Sequence, residues 1–512
     1  MKNCIFFVCS VIVLLSVSVW AEQPPEQVWE ARYNGPGNYD DEARALAIDN
    51  SGNVYVTGFS KDASGTYDDY ATIKYGPDGN QLWVARYNGP GNGNDWVWDL
   101  AIDNLGNVYV TGYSFVAYSY NYDYATIKYG PDGNQLWVAR YNGPANGYDR
   151  AWALAVDNSG NVYVTGSSDG GGTYGDYATI KYGPNGNQLW VARYNGPAND
   201  YDQSSVLSVD NSGNVYVTGE SWGGSTELDY ATIKYGTNGN QLWVARYNGP
   251  ANGYDRPSAL SVDNSGNVYV TGYSEGGGTG DDYATIKYGP NGSQLWVARY
   301  NGSGNSSEAP TALAIDNFGN VYVTGYSLSS ITGNDYVTIK YGQLPPFGFP
   351  VQLWVARYSS PAYNDDEAFD LSVDNLGNVY VTGYSLSSIT GSDYVTIKYG
   401  PDGNQLWVTR YNGPGNDFDW ALALAIDNSG NVYVTGGSDG ISTGRDYATI
   451  KYTQHDYCIS PFPRDLSRDC KVDFADFAIL AEDWLEDTYL EDLAELAEDW
   501  LECNFALKED CF

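Results

Sequence analysis

Eight copies of one short run constrain this chain more than any other feature. Trp29, Trp83, Trp137, Trp190, Trp243, Trp296, Trp354 and Trp407 each stand in a variant of Gln-Leu-Trp-Val-Ala-Arg-Tyr, at intervals of 54, 54, 53, 53, 53, 58 and 53 residues. The long interval holds an insertion, Gln343-Leu-Pro-Pro-Phe-Gly-Phe-Pro350. A fixed period of this size marks an architecture in which each unit buries its apolar surface against its neighbours.

Each unit contains four short, β-rich apolar runs. In the second unit they are Gln81-Leu-Trp-Val-Ala-Arg-Tyr87, Leu100-Ala-Ile-Asp103, Val108-Tyr-Val-Thr111 and Tyr124-Ala-Thr-Ile-Lys-Tyr129. Asp103-Asn-Leu-Gly-Asn107 and Gly130-Pro-Asp-Gly-Asn134 supply the glycines that tight hairpins need. Four strands per unit make a propeller blade, and no helical apolar period appears before residue 470. The small side chains of the Ala-Leu-Ala-Ile run suit the crowded inner edge of a blade, which leaves the Trp run outermost. In that frame the array opens on an orphan outer strand at Trp29 and ends on a unit lacking one, Tyr447 to Tyr452. The N-terminal strand can therefore complete the last blade and remove two open sheet edges. The fold expected is all-β: an eight-bladed propeller of four-stranded blades, closed by its first strand, plus a small two-helix calcium-loop domain.

The run Asp-Asn-Ser-Gly-Asn-Val-Tyr-Val-Thr-Gly, at 49–58, 157–166, 210–219, 263–272 and 427–436, resembles the bacterial SBBP-type β-propeller repeat. The likeness covers residues 29–452. It implies a surface or secreted propeller and brings no catalytic residues with it.

Composition narrows the partners. Asp and Glu number 63 against 26 Lys and Arg, a formal charge of −37, so nucleic acid is excluded by repulsion. Residues 1–21 read as a cleaved export signal: Lys2, an apolar run from Ile5 to Val19, then Val19-Trp20-Ala21. The expected location is outside the cell or on its surface, as a monomer with no membrane span after cleavage. Cys458, Cys470, Cys503 and Cys511 cluster near the C-terminus, as disulfide cysteines of an exported module do. Their pairing stays open.

In a four-stranded blade alternate connections emerge on opposite faces. The two copied turns share one, here called the turn face. The two connections that differ between units share the other, the variable face, where specificity is expected. Two carboxylate series fall there. One is Asp41, Asp95, Asp149, Asp202, Asp255, Glu308, Asp366 and Asp419; the other runs Asp69, Asp123, Asp176, Asp229, Asp282, Asp335, Asp393 and Asp446. They read either as turn-capping groups or as a ring for a cation or ligand. Five tryptophans outside the repeat, Trp96, Trp98, Trp152, Trp222 and Trp420, join them, with Tyr118, Tyr120, Tyr148, Tyr201, Tyr254 and Phe418 nearby. Aromatics beside acids suit sugar rings, and aromatic anchors equally mark protein interfaces. The candidate ligand residues are the five tryptophans with Asp41, Asp95, Asp149, Asp202, Asp255 and Asp419. Packing between blades is the competing use, above all for Trp98 and Trp152. The Asp-Asn-Ser-Gly-Asn turn lacks the later acid of a calcium loop and reads as a hairpin.

Catalytic constellations are not recognisable. The single His, His455, lies beyond the array, as do the cysteines outside the export segment. The rival function is a propeller hydrolase or lyase acting on polysaccharide through paired carboxylates. A second rival rests on a loose likeness of Gly-Asn-Gln-Leu-Trp to eight-bladed quinoprotein dehydrogenases, whose vicinal cysteines are missing.

A linker (453–463) precedes a different composition at 464–512. Asp465, Ser467, Asp469, the Lys471 carbonyl, Asp473 and Asp476 have the spacing of a calcium loop with Asp last. Phe474, Phe477, Ala478, Ala481, Trp484 and Leu485 have helical period, repeated 16 residues on by Leu490, Leu493, Ala494, Ala497, Trp500 and Leu501. Residues 464–503 resemble a type I dockerin, which implies one bound calcium and a cohesin-like partner. They depart from it in Cys470 for the loop glycine, in the missing second loop, and in Phe474 and Ala475 at positions 10 and 11. The expectation is a secreted, non-enzymatic propeller that binds carbohydrate or protein and attaches through this module.

Overall fold

The computed structural model describes residues 23–117, 121–302, 304–329, 331–344, 348–360 and 365–454. The export segment, His455, the calcium loop at Asp465–Asp476 and the four clustered cysteines lie outside the described residues. Among the described residues are thirty-two strands, numbered β1 to β32, in eight four-stranded antiparallel sheets. The first sheet is β2 (Asp41–Ile48), β3 (Val54–Lys61), β4 (Asp68–Tyr75) and β5 (Gln81–Tyr87) in sequential order. Six further sheets repeat it. The last takes β30 (Asp419–Ile426), β31 (Val432–Asp439) and β32 (Arg445–Thr453), and its outer strand is β1 (Glu26–Tyr33).

The Ala-Leu-Ala-Ile strand is the inner one, and each inner strand contacts the inner strands of both neighbours, so the eight surround a central axis. The blade number is thus eight. The hairpin between β2 and β3 shows why the turn sequence is copied. Gly52 takes a left-handed φ of 77°, while Asp49 accepts the backbone N–H groups of Ser51 and Asn53, the Asn53 amide and the Tyr55 hydroxyl. All four acceptor positions of that carboxylate are used inside the turn, as a hairpin rather than a calcium loop requires.

Apolar burial lies between sheets. Tyr55 and Tyr70 of the first blade pack onto Val108, Val110 and Ile127 of the second. The same seat joins the last blade to the first, where Tyr433 and Tyr447 meet Val54, Val56 and Ile73. Polar bonds follow the same rule. Tyr70, Tyr124, Tyr177, Tyr230, Tyr283, Tyr336, Tyr394 and Tyr447 each donate to a carbonyl of the next blade at 3.1–3.4 Å. Tyr447 reaches Ala71, which closes the circle. Each such bond contributes about 1 kcal/mol net.

The outer Trp of a blade donates its indole N–H to the turn of the next, as Trp83 does to the Pro131 carbonyl at 3.0 Å. Trp296 and Trp407 have no such acceptor, and their Nε1 atoms are buried without a partner. In those two cases Gln343 and Gln454 replace the turn proline, at the insertion and at the end of the ring.

Candidate functional site

Both carboxylate series are built into the blades. The second pairs with the arginine of the adjacent outer strand, at 2.8–3.3 Å in all eight blades. Each arginine also donates to a tyrosine hydroxyl of the preceding blade at 2.8–3.1 Å. Arg32 of β1 reaches Asp446 in the same way, so the seam repeats every other boundary.

The first series corrects the sequence reading. Asp41, Asp95, Asp149, Asp202, Asp255 and Asp419 are at most 1% exposed, and each accepts a backbone N–H six residues upstream, such as Gly196 to Asp202 at 2.6 Å. They fold the connection between blades and offer no carboxylate to a ligand. At Asp149, Asp202, Asp255, Asp366 and Asp419 one oxygen is buried with no partner. Burial pushes Asp41, Asp95, Asp149, Asp202, Asp255 and Asp419 up to about 6, against the backbone N–H bonds that lower them. Glu308 is pushed up to about 7 by the same cause.

The tryptophans sit on the variable face, but largely as wedges. Every inner strand bulges after its third residue, placing one extra, half-buried side chain there: Arg44, Trp98, Trp152, Ser205, Ser258, Thr311, Phe369 and Leu422. A bulge re-aims side chains, and the residue it carries differs widely among the eight copies. Trp98 and Trp152 meet with ring centroids 4.8 Å apart, and the Arg44 guanidinium lies 4.8 Å from Trp98. Across the axis, Ser258 and Thr311 donate to carbonyls of the following blade. Trp96 donates to Asp68 at 2.7 Å and stacks on Tyr122. Arg445 covers Trp420 at 4.2 Å while pairing with Glu42. Trp222 is half-buried beside the Tyr201 backbone, its own backbone N–H donating to that carbonyl at 3.1 Å. Four of the five tryptophans thus pack on a partner side chain, often across a blade boundary.

What this face exposes is mainly tyrosine and isoleucine. Tyr148, Tyr174, Tyr201, Tyr254 and Phe418 are 36–69% exposed, and Ile331, Ile389 and Ile441 about 80% or more. Tyr148, Tyr201, Tyr254 and Phe418 each precede a first-series acid, so the buried carboxylate anchors the loop that presents the ring. Two features were not singled out in the sequence. One is the bulge ring as a whole. The other is Glu227, which has a left-handed φ of 55° where four blades have left-handed Gly280, Gly333, Gly391 and Gly444. A glutamate at a copied glycine position was the available signal. The turn face differs in kind. Polar clefts of about 370, 290 and 210 Å³ lie there between neighbouring blades, lined by copied Asp-Asn turns and a lysine.

Comparison with known proteins agrees with this geometry. The model of the SBBP β-propeller repeat matches residues 31–61, 82–115, 137–172, 189–225, 242–278, 295–331 and 353–389. The eighth unit has the same four strands and the same Asp427-to-Gly436 run. An uncharacterized WD repeat-containing protein of Acanthamoeba polyphaga mimivirus is 25% identical over 490 residues, covering 80% of this chain. The chain spans 31% of that relative's length. The crystal structure of Saccharomyces cerevisiae Sqt1 superposes with a TM-score of 0.50 over 84% of this chain and 99% of that one, at 11% identity. That likeness is one of fold alone. With seven units matched by one repeat model and an eighth built alike, the chain carries SBBP β-propeller repeats.

Proposed function

We propose that this propeller is a non-catalytic binding protein whose variable face engages a protein ligand outside the cell. The observation that carries this reading is the distribution of exposed rings. Tyr148, Tyr174, Tyr201, Tyr254 and Phe418 belong to connections that differ between blades, whereas the constant residues are consumed by the fold. Exposed tyrosines spread over a broad face suit a macromolecular surface, since tyrosine buries large area at low entropic cost and keeps a polar tip. The export segment and the calcium-loop module read from the sequence add a secreted or surface location and a calcium-dependent attachment. Carbohydrate is the second reading, favoured by the Trp98–Trp152 pair under Arg44.

The test uses the full chain and a Tyr148→Ala/Tyr201→Ala/Tyr254→Ala/Phe418→Ala variant, immobilised against a panel of extracellular proteins and a glycan array, with and without EDTA. Protein binding lost in the variant supports the reading. Glycan binding lost instead in Trp98→Ala/Trp152→Ala moves the function to carbohydrate. Turnover of a polysaccharide by the wild type, abolished by one acid substitution, would overturn the non-catalytic reading.

A further inference from the structure

We infer that the sector of the variable face over the fourth and fifth blades docks a lysine- or arginine-rich segment of a protein partner. This rests on the binding reading above and adds the chemistry of the occupant. The surface is an exposed apolar one, formed by Tyr201 and Tyr254. Its surroundings fix the sign of the partner. Glu220, Glu227, Glu275 and Asp281 are half-buried around these rings; of the two cations whose charge reaches Tyr201, Arg256 is already paired with Glu220 at 2.7 Å and Arg150 belongs to the preceding blade.

The groups form one patch. Glu227 bonds the Tyr254 hydroxyl and holds the phenol above its usual range, while the Tyr254 N–H faces Glu275 Oε2 at 3.4 Å. Arg256 lies 5.8 Å from the Tyr254 ring centroid. Burial raises Asp281 above the ordinary carboxylate range, and the Glu275 charge beside it adds to that shift. A cation arriving here relieves repulsion between carboxylates and finds tyrosine faces to stack on, so attraction and contact area coincide. The turn face is nearer balance: its eight copied aspartates face eight lysines, as Lys451 stands beside Asp427 and Asp49, and only Asp78, Asp132 and Asp402 add to them, spread over three blades.

The experiment measures fluorescence anisotropy of a fluorescein-labelled Lys-Gly-Arg-Gly repeat peptide with the full chain, at low and at physiological salt. Three variants are compared: Glu227→Gln/Glu275→Gln/Asp281→Asn in the sector, Tyr201→Ala/Tyr254→Ala, and the charge-matched turn-face control Asp78→Asn/Asp132→Asn/Asp402→Asn. Asn185 already occupies the control position in another blade, so those changes are tolerated. The expected result is salt-sensitive binding weakened roughly tenfold by the sector acids, several-fold by the tyrosines, and less than twofold by the control. Loss with the tyrosine variant alone overturns the cationic chemistry and leaves the docking face standing. No binding, or equal loss with the sector and control triples, overturns the proposal as non-specific attraction to a negative protein. Unfolding curves matching wild type certify that each variant is folded.

Discussion

The two ends of each inner strand carry an acid, aspartate everywhere but at Glu308, and the fourth blade shows how differently they are held. Asp202 starts its strand on the variable face, and Asp210 follows it on the turn face. Asp202 is buried with one oxygen unpartnered, and burial holds it near 6 despite its bonds. Asp210 is also desolvated, but bonds from Asn214, Tyr216 and Ser212 outweigh burial and keep it below the ordinary range. The same residue type is thus a charged staple at one end and a group poised for protonation at the other. The depth of burial, set against the number of donors that reach the carboxylate, decides which.

Acidification gives the largest test of that contrast. Asp41, Asp95, Asp149, Asp202, Asp255 and Asp419 have folded values of about 6 against about 3.8 free, so between those pH values the folded state holds more protons. Their contribution is complete below pH 4 and is lost as pH rises through 6, by about 3 kcal/mol per fully shifted site. Relief of the −37 charge acts in the same direction. Thermal unfolding should therefore show a Tm several degrees higher at pH 5 than at pH 7.5. Asp49, Asp103, Asp157, Asp210 and Asp427 on the turn face have the opposite sign and withdraw stability only as pH falls below about 4. A flat profile between pH 5 and 7.5 would erase the distinction between the two ends.

Single substitutions sharpen it. Asp210→Ala strands four turn donors and should cost about 2–3 kcal/mol in a denaturant melt at pH 7. Asp202→Asn keeps an acceptor for Gly196 and removes a disfavoured charge. It should be neutral or stabilising by about 1 kcal/mol at pH 7 and should reduce the pH slope. Glu227→Gly relieves a left-handed non-glycine residue and should stabilise by about 1 kcal/mol, while lowering affinity for a cationic partner. Stability gained where binding is lost would identify Glu227 as kept for recognition. The smallest effect is expected from Tyr148→Ala, Tyr201→Ala and Tyr254→Ala, within about 0.5 kcal/mol in unfolding.

The fold was almost fully legible because the constraints are local and repeated. The half-unit offset of Trp29 announced the closing strand, and small residues in Ala45-Leu-Ala-Ile48 marked the inner edge. The site was less so. Periodicity finds Asp202 and Asp229 in every copy but cannot tell a solvated acid from one folded over by its own loop. The glycine six residues before Asp202 was the usable hint, since its N–H is the group the carboxylate binds. The bulge at Trp98 was hidden because it breaks the alternation from which faces are assigned. Trp98 and Trp152 were recognised as inter-blade candidates because they abut the inner strand, and they do meet there.

The seam between β32 and β1 has a consequence for how such proteins change in length. Arg32 and Asp446 meet as Arg193 and Asp176 do, and Tyr447 finds Ala71 as Tyr177 finds Ala231. Because the joining surfaces are interchangeable, a duplication or loss of one whole unit leaves every junction with a compatible mate. Only the curvature of the circle must adjust. Gene-level copy number then becomes a structural variable, and each added blade brings a fresh, unconstrained pair of loops to the variable face.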